Sequence, residues 1–298
     1  MNRQLLFLIN PISGTGKKRR LFELIERTMK ANGFEFVIRH TDPSGEYGEL
    51  KQELVQGVWT DVVVAGGDGS VQAVADLLFG TSVRLGIIPA GSGNGMAYGA
   101  GISSNWNRAL NQVVQGKAYR TDGYEVNGQR GCMLMGLGYD ARVAKAFVHQ
   151  RKRGFWRYIQ ICWSLFFKEN RYRLRIHTSD GILEGTFFFV SLANSNQFGN
   201  RVTIAPKADM HDGKLDLILV SSGSAVRKTF GLIHQILFGR PVSIAEARQQ
   251  SSIVRYVQAS IVEIENLDLA PLHVDGEPKP TAERMLVRVL PGVFWMVR

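Results

Sequence analysis

Cysteine is scarce in this chain. Cys132 and Cys162 are its two, and they form no CxxC pair. Neither a disulfide framework nor a thiolate zinc site is written here, and a reducing, cytoplasmic setting is the expectation that follows. Long apolar runs are lacking too. None approaches the roughly 18 residues that a membrane span needs. The nearest, Ile159 to Phe167, is broken by Gln160 and Ser164, and Leu5 to Ile9 ends at Asn10 and Pro11, too short for the apolar region of an export signal. If a membrane is involved, the protein is expected to sit on its surface. Acids are fewer than bases, 26 against 36, and the net charge of +10 favours partners that carry negative charge: nucleotide, nucleic acid or anionic lipid.

Several catalytic signatures are missing as well. No G-x-S-x-G occurs, so a Ser-His-Asp hydrolase lacks its nucleophile elbow. The six histidines show no HExxH spacing. Gly16-Lys17 invites comparison with a Walker A loop, but that motif needs Gly at position 11 and Ser or Thr at 18, where Pro11 and Lys18 stand. No complete G-x-G-x-x-G is present, which disfavours a Rossmann dehydrogenase. Without an RRM, KH or helix-turn-helix signature, no nucleic-acid partner is expected.

What is present is a folded chain. Its 298 residues are 45% apolar and 21% charged, enough to bury a sizeable core and to form two domains. Leu5 to Ile9, Phe36 to Ile38, Asp61 to Ala65 and Leu85 to Ile88 read as short buried strands separated by helical patterns. Parallel βα units in an open α/β sheet are predicted for residues 1–120, with ligands at the carboxyl ends of the strands. Residues 121–298 change texture, to strands such as Thr186 to Leu192, Leu215 to Val220 and Ile261 to Glu265. A β-rich second domain is predicted there, interrupted by helices near Ala141 to Phe167 and around Val226, Phe230, Ile233 and Leu237. The last strand is free to pack back near the first domain.

Three loops each follow a predicted strand: Asn10-Pro11-Ile12-Ser13-Gly14-Thr15-Gly16-Lys17, Gly66-Gly67-Asp68-Gly69-Ser70 and Gly91-Ser92-Gly93-Asn94-Gly95. Glycine lets backbone N–H groups approach phosphate oxygens, and a following helix N-terminus adds positive potential. Any one such loop could be an ordinary βα turn; three at one sheet edge point to an anion. Asp68 stands apart, because a carboxylate in a phosphate loop repels phosphate unless it holds a metal ion or takes a proton from a nucleophile. Its structural alternative is N-cap of a helix beginning near Ser70.

Asn10-Pro11 with Ser13-Gly14, Gly66 to Ser70, and Pro89-Ala90-Gly91-Ser92-Gly93-Asn94 resemble the signature segments of the diacylglycerol kinase and sphingosine kinase catalytic-domain family. Gly136-Leu137-Gly138-Tyr139-Asp140-Ala141 resembles the fourth segment and Asp275-Gly276-Glu277 the last, while Gly292 to Val297 looks closest to the sphingosine kinase end. The resemblance spans nearly the whole chain. It implies an ATP-dependent lipid kinase with an α/β nucleotide domain, like that of NAD kinase and diacylglycerol kinase, a β-sandwich C-terminal lipid domain, and an active site in the cleft between. Carried over by motif, Asn10, Pro11, Ile12, Ser13, Gly14, Thr41, Gly66, Gly67, Asp68, Gly69, Ser70, Val71, Gln72, Ser92, Gly93 and Asn94 would surround ATP, and Arg151 and Arg153 would reach its phosphates. Asp140 would line the substrate cleft. The proton acceptor would be Asp68 or the pair Asp275 and Glu277. Mg²⁺ would be held by Asp209, Asp212 and the carbonyl of Lys214, in a segment that departs from the commoner acidic version by Met210-His211. Read without the family, Asp209 to Gly213 and Asp275 to Glu277 are equally solvated acidic turns.

From Arg142 to Arg175 ten cations accompany a single anion, Glu169, with Phe147, Phe155, Trp156, Tyr158, Trp163, Phe166 and Phe167 interleaved. Such a segment suits an anionic membrane surface and equally a solvated cationic face over a core. The function expected is transfer of the γ-phosphoryl of Mg-ATP to the hydroxyl of a long-chain lipid of diacylglycerol, sphingosine or ceramide type, by a cytoplasmic, peripherally membrane-associated enzyme. NAD kinase, which shares a GGDG loop, is the alternative enzyme, and a nucleotide-gated membrane-binding module without catalysis is the alternative outside enzymes. A homodimer is allowed by the sequence and not specified by it.

Overall fold

The computed structural model describes residues 3–13, 18–42, 45–148, 155–168, 171–197, 203, 205–223, 229, 246–247 and 253–298. They fall into two compact units. One holds the described residues up to Thr121 together with Gly292–Arg298; the other holds those from Asp122 to Pro291.

The first unit alternates strands and helices: β1 (Gln4–Ile9), α1 (Lys18–Ala31), β2 (Glu35–His40), α2 (Gly48–Val55), β3 (Asp61–Gly66), α3 (Asp68–Leu78), β4 (Arg84–Pro89), α4 (Gly95–Gly99), α5 (Trp106–Gln115) and the start of β5 (Ala118–Val126). β2, β1, β3 and β4 lie side by side in that order, all parallel. β1, β3 and β4 are almost wholly buried, as central strands of a sheet covered on both faces require, while the edge strand β2 is partly exposed along its length. Alternate residues Leu5, Phe7, Ile9, Val63 and Ala65 meet Leu21, Ile25 and Met29 of α1 and Leu110 and Val113 of α5. Because side chains alternate along a strand, Leu6, Leu8, Val62 and Val64 point to the other face. Asp61 is buried at the start of β3, where Arg3 and Arg84 both pair with it, at 2.8 Å and 2.6 Å. The order β2-β1-β3 reverses direction between β1 and β3, and ligands of open α/β sheets bind at such a switch point.

The second unit continues β5 and adds β6 (Gln129–Gly131), β7 (Leu134–Gly138), α6 (Tyr139–Val148), α7 (Phe155–Phe166), β8 (Tyr172–Thr178), β9 (Gly181–Ala193), β10 (Leu215–Ser221), β11 (Val254–Ala259), β12 (Ile261–Asn266), β13 (Leu272–Val274), β14 (Glu277–Lys279) and β15 (Arg284–Val297). Its strands pair antiparallel in the order β14-β13-β7-β9-β8-β12-β15, with β10 and β11 branching from β9. One core gathers Met135, Leu137, Ile176, Val190, Leu217, Val262 and Val287; a second gathers Phe188, Phe189, Ile218 and Tyr256, with Tyr139 and Phe166 packed on it. This is a β-sandwich with α6 and α7 as its helical interruption. The helix expected around Val226, Phe230, Ile233 and Leu237 lies outside the described residues.

Candidate active site

In the first unit three loops leave the carboxyl ends of β1, β3 and β4 and are laced together. The Asn10 amide nitrogen donates to Ser70 Oγ at 2.8 Å, and its side-chain oxygen accepts from the Ile12 N–H at 3.0 Å. Thr41, buried just beyond β2, donates its N–H to the carbonyl of Ile9 at 3.0 Å, which places it beside this loop. Gly67 and Gly91 cross at van der Waals distance: a Cβ on Gly91 would sit 2.3 Å from the Cα of Gly67. Only glycine allows that crossing. Asn94, in the left-handed conformation at φ 57, accepts from Gly91 N–H and donates back to the Gly91 carbonyl, closing the third loop on itself.

Asp68 stands at the centre of this lacing. It is the first residue of α3, whose N-cap is Gly67, and its Oδ1 accepts from the Met96 N–H at 3.1 Å, joining the second loop to the third. The alternative in which Asp68 caps a helix beginning near Ser70 is therefore corrected: the glycine loop is tight enough for the helix to begin two residues earlier. Val71 turns into the core, 2% exposed, while Ile12 and Ser92 are exposed and Gln72 is half-buried. Gly14 lies outside the described residues.

Sequence reasoning passed over one cation here. Lys18 opens α1, and its ammonium donates to Ser13 Oγ at 2.7 Å. Burial lowers its pKa, and it has no carboxylate partner among the described residues. The signal was its place one residue beyond Gly16-Lys17, a position scored only as a failed Walker serine.

The second unit holds the remaining candidates. Asp275 is 8% exposed, in a left-handed turn at φ 49. Its Oδ1 accepts from Tyr124 Oη at 2.8 Å and from the N–H groups of Met133 and Leu134 at 2.9 and 2.8 Å, and its Oδ2 from Cys132 N–H at 2.7 Å. Burial pushes its pKa up against the pull of those donors. Glu277, by contrast, leaves about half of its side chain exposed and pairs with Lys279 at 3.0 Å. Asp140, at the start of α6, is buried against His273, and burial raises its pKa, with His273 opposing.

Asp209 and Asp212 sit on a turn after which β10 begins. Asp209 Oδ1 receives the backbone N–H of His211 at 3.1 Å and lies 2.7 Å from its Nδ1, while Asp212 Oδ1 accepts from Lys214 N–H at 2.9 Å. Asp122, which sequence reasoning missed, accepts from Gly213 N–H at 2.8 Å. Burial raises the pKa of Asp212, and the charges of Asp209 and Asp122 add to it. Hard oxygens crowded in this way suit Mg²⁺. Among the described residues no three acidic, histidine or cysteine side chains converge on one point. The groups expected to hold Mg²⁺, Asp209, Asp212 and the Lys214 carbonyl, thus form no preformed cage of side chains. Arg151 and Arg153 lie outside the described residues.

Residues 134–298 match the YegS C-terminal NAD kinase beta sandwich-like domain, and residues 4–126 match the diacylglycerol kinase catalytic domain. The chain belongs to the YegS-like and diacylglycerol kinase family. A probable lipid kinase YegS-like of Chromohalobacter salexigens is 27% identical over 271 residues, 88% of this chain and 85% of that protein. A diacylglycerol kinase of Mycobacterium tuberculosis is 28% identical over 251 residues, 80% of each chain. The fold matches the crystal structure of a putative diacylglycerol kinase from Bacillus anthracis with a TM-score of 0.80, 20% identity and coverage of 99% of this chain and 96% of that one. Membership makes this lipid kinase family chain a phosphotransferase that acts on an alcohol group.

Proposed function

We propose that the protein transfers the γ-phosphoryl of ATP to the hydroxyl of a long-chain lipid. The observation that carries this reading is the lacing of three loops around Asp68 at the switch point of a parallel sheet, with Lys18 beside them. Phosphoryl transfer asks for phosphates positioned by backbone donors, cationic charge around the moving group and an acceptor for the hydroxyl proton. The glycine crossing and the first turn of α3 supply the cradle, and Lys18 supplies charge. Asp68 would hold Mg²⁺ beside the phosphates; when bound, that ion neutralises charge on the transferring group. Of the acids in the second unit, Glu277 keeps about half of its side chain exposed, with only Lys279 paired to it among the described residues, and is the better placed to accept a proton, whereas Asp275 has its oxygens occupied by four donors.

The lipid and the membrane are read from α7. Ile159, Trp163 and Phe167 recur every four residues and are 38%, 67% and 57% exposed, with Trp163 and Phe167 in edge contact at 5.0 Å between ring centroids. Arg157 and Lys168 flank them on the exposed surface. An apolar stripe with aromatic rings and cationic neighbours suits docking on an anionic bilayer. No helix among the described residues is long and apolar enough to cross one.

The test is transfer of radiolabelled γ-phosphate from Mg-ATP to diacylglycerol, sphingosine and ceramide in mixed micelles and to NAD, with products separated by chromatography. Label on a lipid supports the reading and names the acceptor class. Label on NAD alone moves the protein to the NAD kinase alternative, and a folded protein that binds ATP and labels nothing refutes the reading.

A further inference from the structure

His273 and Asp140 face each other in the second unit, 2% and 3% exposed at the side chain, with Nε2 3.5 Å from Oδ2. The backbone makes room for them. His273 on β13 lies directly opposite Gly136 on β7, and a Cβ on Gly136 would stand 1.8 Å from Asp140 Oδ2 and 2.7 Å from His273 Nε2. The glycine of this segment is thus a slot for an acid that comes four residues later, at the first turn of α6. On its other side His273 Nδ1 accepts the N–H of Gly276 at 3.2 Å. An imidazole nitrogen that accepts carries no proton, which leaves a ring hydrogen on Nε2, the nitrogen 3.5 Å from Asp140 Oδ2.

The turn that this bond holds is Asp275-Gly276, both residues at positive φ, 49° and 84°. Asp275 pins the turn to Cys132, Met133 and Leu134; His273 pins it from within β13 and links it to α6. Glu277 is the next residue. We propose that His273 is a positioning residue for phosphoryl transfer: as the Nε2–H tautomer it ties Asp140 to the turn that presents Glu277, so that the two acids hold one fixed relation. The proposal rests on the reading of this unit as the acceptor side of a lipid kinase, and assigns His273 a role that the motif residues do not carry.

Two substitutions divide the imidazole's functions. His273→Asn keeps an acceptor near Nδ1 and loses the reach to Asp140, whereas His273→Gln keeps a donor toward Asp140 and loses the acceptor for Gly276. Each is expected to lower kcat for the lipid by about 10- to 100-fold, the cost of a slightly misplaced reacting group, with KM for ATP unchanged. Melting temperature and near-UV circular dichroism would normalise rates to folded protein, and the ¹⁵N shifts of the His273 ring would report its tautomer. A bare Nδ1 with a protonated Nε2, and reduced kcat in both variants per folded molecule, supports the proposal. Wild-type kcat per folded molecule in either variant, or a proton on Nδ1, overturns it. A wild type inert toward every lipid overturns the parent reading first and the positioning role with it, and so is distinguished from an active wild type whose variants are unaffected.

Discussion

Asp275 lies in the segment that resembles the family's last signature, yet its four buried donors point to a structural role. Replacing it by Ala removes one acceptor group from four donors: the Tyr124 hydroxyl and the N–H groups of Cys132, Met133 and Leu134. Tyr124 is fully buried, and Cys132, Met133 and Leu134 are at most 5% exposed. An orphaned buried donor costs about 1–3 kcal/mol, and deleting one partner of a buried charged cluster costs about 3–5 kcal/mol in total, because the deletions are not additive. Asp275→Ala is therefore expected to lose about 3–5 kcal/mol. For a unit of this size each kcal/mol is about 2–4 °C, so the fall in Tm should be roughly 6–20 °C. Asp275→Asn retains the Oδ1 acceptor and opposes only Cys132 N–H with a second donor, so its loss should be smaller, about 1–3 kcal/mol. Glu277→Gln, on a half-exposed side chain, should stay within about 0.5 kcal/mol of wild type and still lose lipid phosphorylation. Calorimetry and urea denaturation measure all three. If Asp275→Ala melts with the wild type and is merely inactive, the assignment of Asp275 to the fold is wrong.

Other outcomes follow from the same geometry. Asp216 is fully buried on β10, where Tyr256 Oη and Gln258 Nε2 donate to its Oδ1, and burial pushes its pKa up to about 6. The folded carboxyl keeps its proton up to that pH and the unfolded one releases it near 4, so its contribution to stability is present below about pH 4 and lost as pH rises through 6. In EDTA, Asp216→Asn should gain on the wild type by up to about 3 kcal/mol between pH 4 and 7.5; parallel urea-denaturation profiles would reject the shift. Substituting Ser for Ile159, Trp163 and Phe167 together should weaken sedimentation with phosphatidylglycerol vesicles by more than about tenfold, since three apolar anchors are worth over a kcal/mol each when buried. Unchanged sedimentation would leave α7 a solvated face.

The first unit was legible because its signals are local. Apolar runs of four to six residues followed by glycine loops declare parallel strands, and Asn10, Asp68 and Asn94 stand at the loop positions where strand ends must bring them together. The motif could not show how they bond: that Asp68 accepts from Met96 N–H, or that Gly67 and Gly91 cross, depends on the stacking of β3 against β4. In the second unit Asp275 and Glu277 looked alike in sequence, and a two-residue separation along a turn decides that one is swallowed by 132–134 and the other faces outward. Asp122 and Tyr124 went unread for the same reason, and His273, two residues before Asp275, read only as a structural strand histidine. Their partners lie up to 151 residues away in the chain, where no spacing rule reaches.

If Asp68 serves phosphoryl transfer from a nucleotide held by the three loops, replacing it separates nucleotide binding from turnover. ATP binding and lipid phosphorylation should be measured side by side on wild type and Asp68→Asn in Mg²⁺ micelle assays. The expected variant is folded, still binds ATP and has a kcat lower by at least about a hundredfold, in the range that loss of one catalytic group produces. Turnover at the wild-type rate in Asp68→Asn would contradict that role.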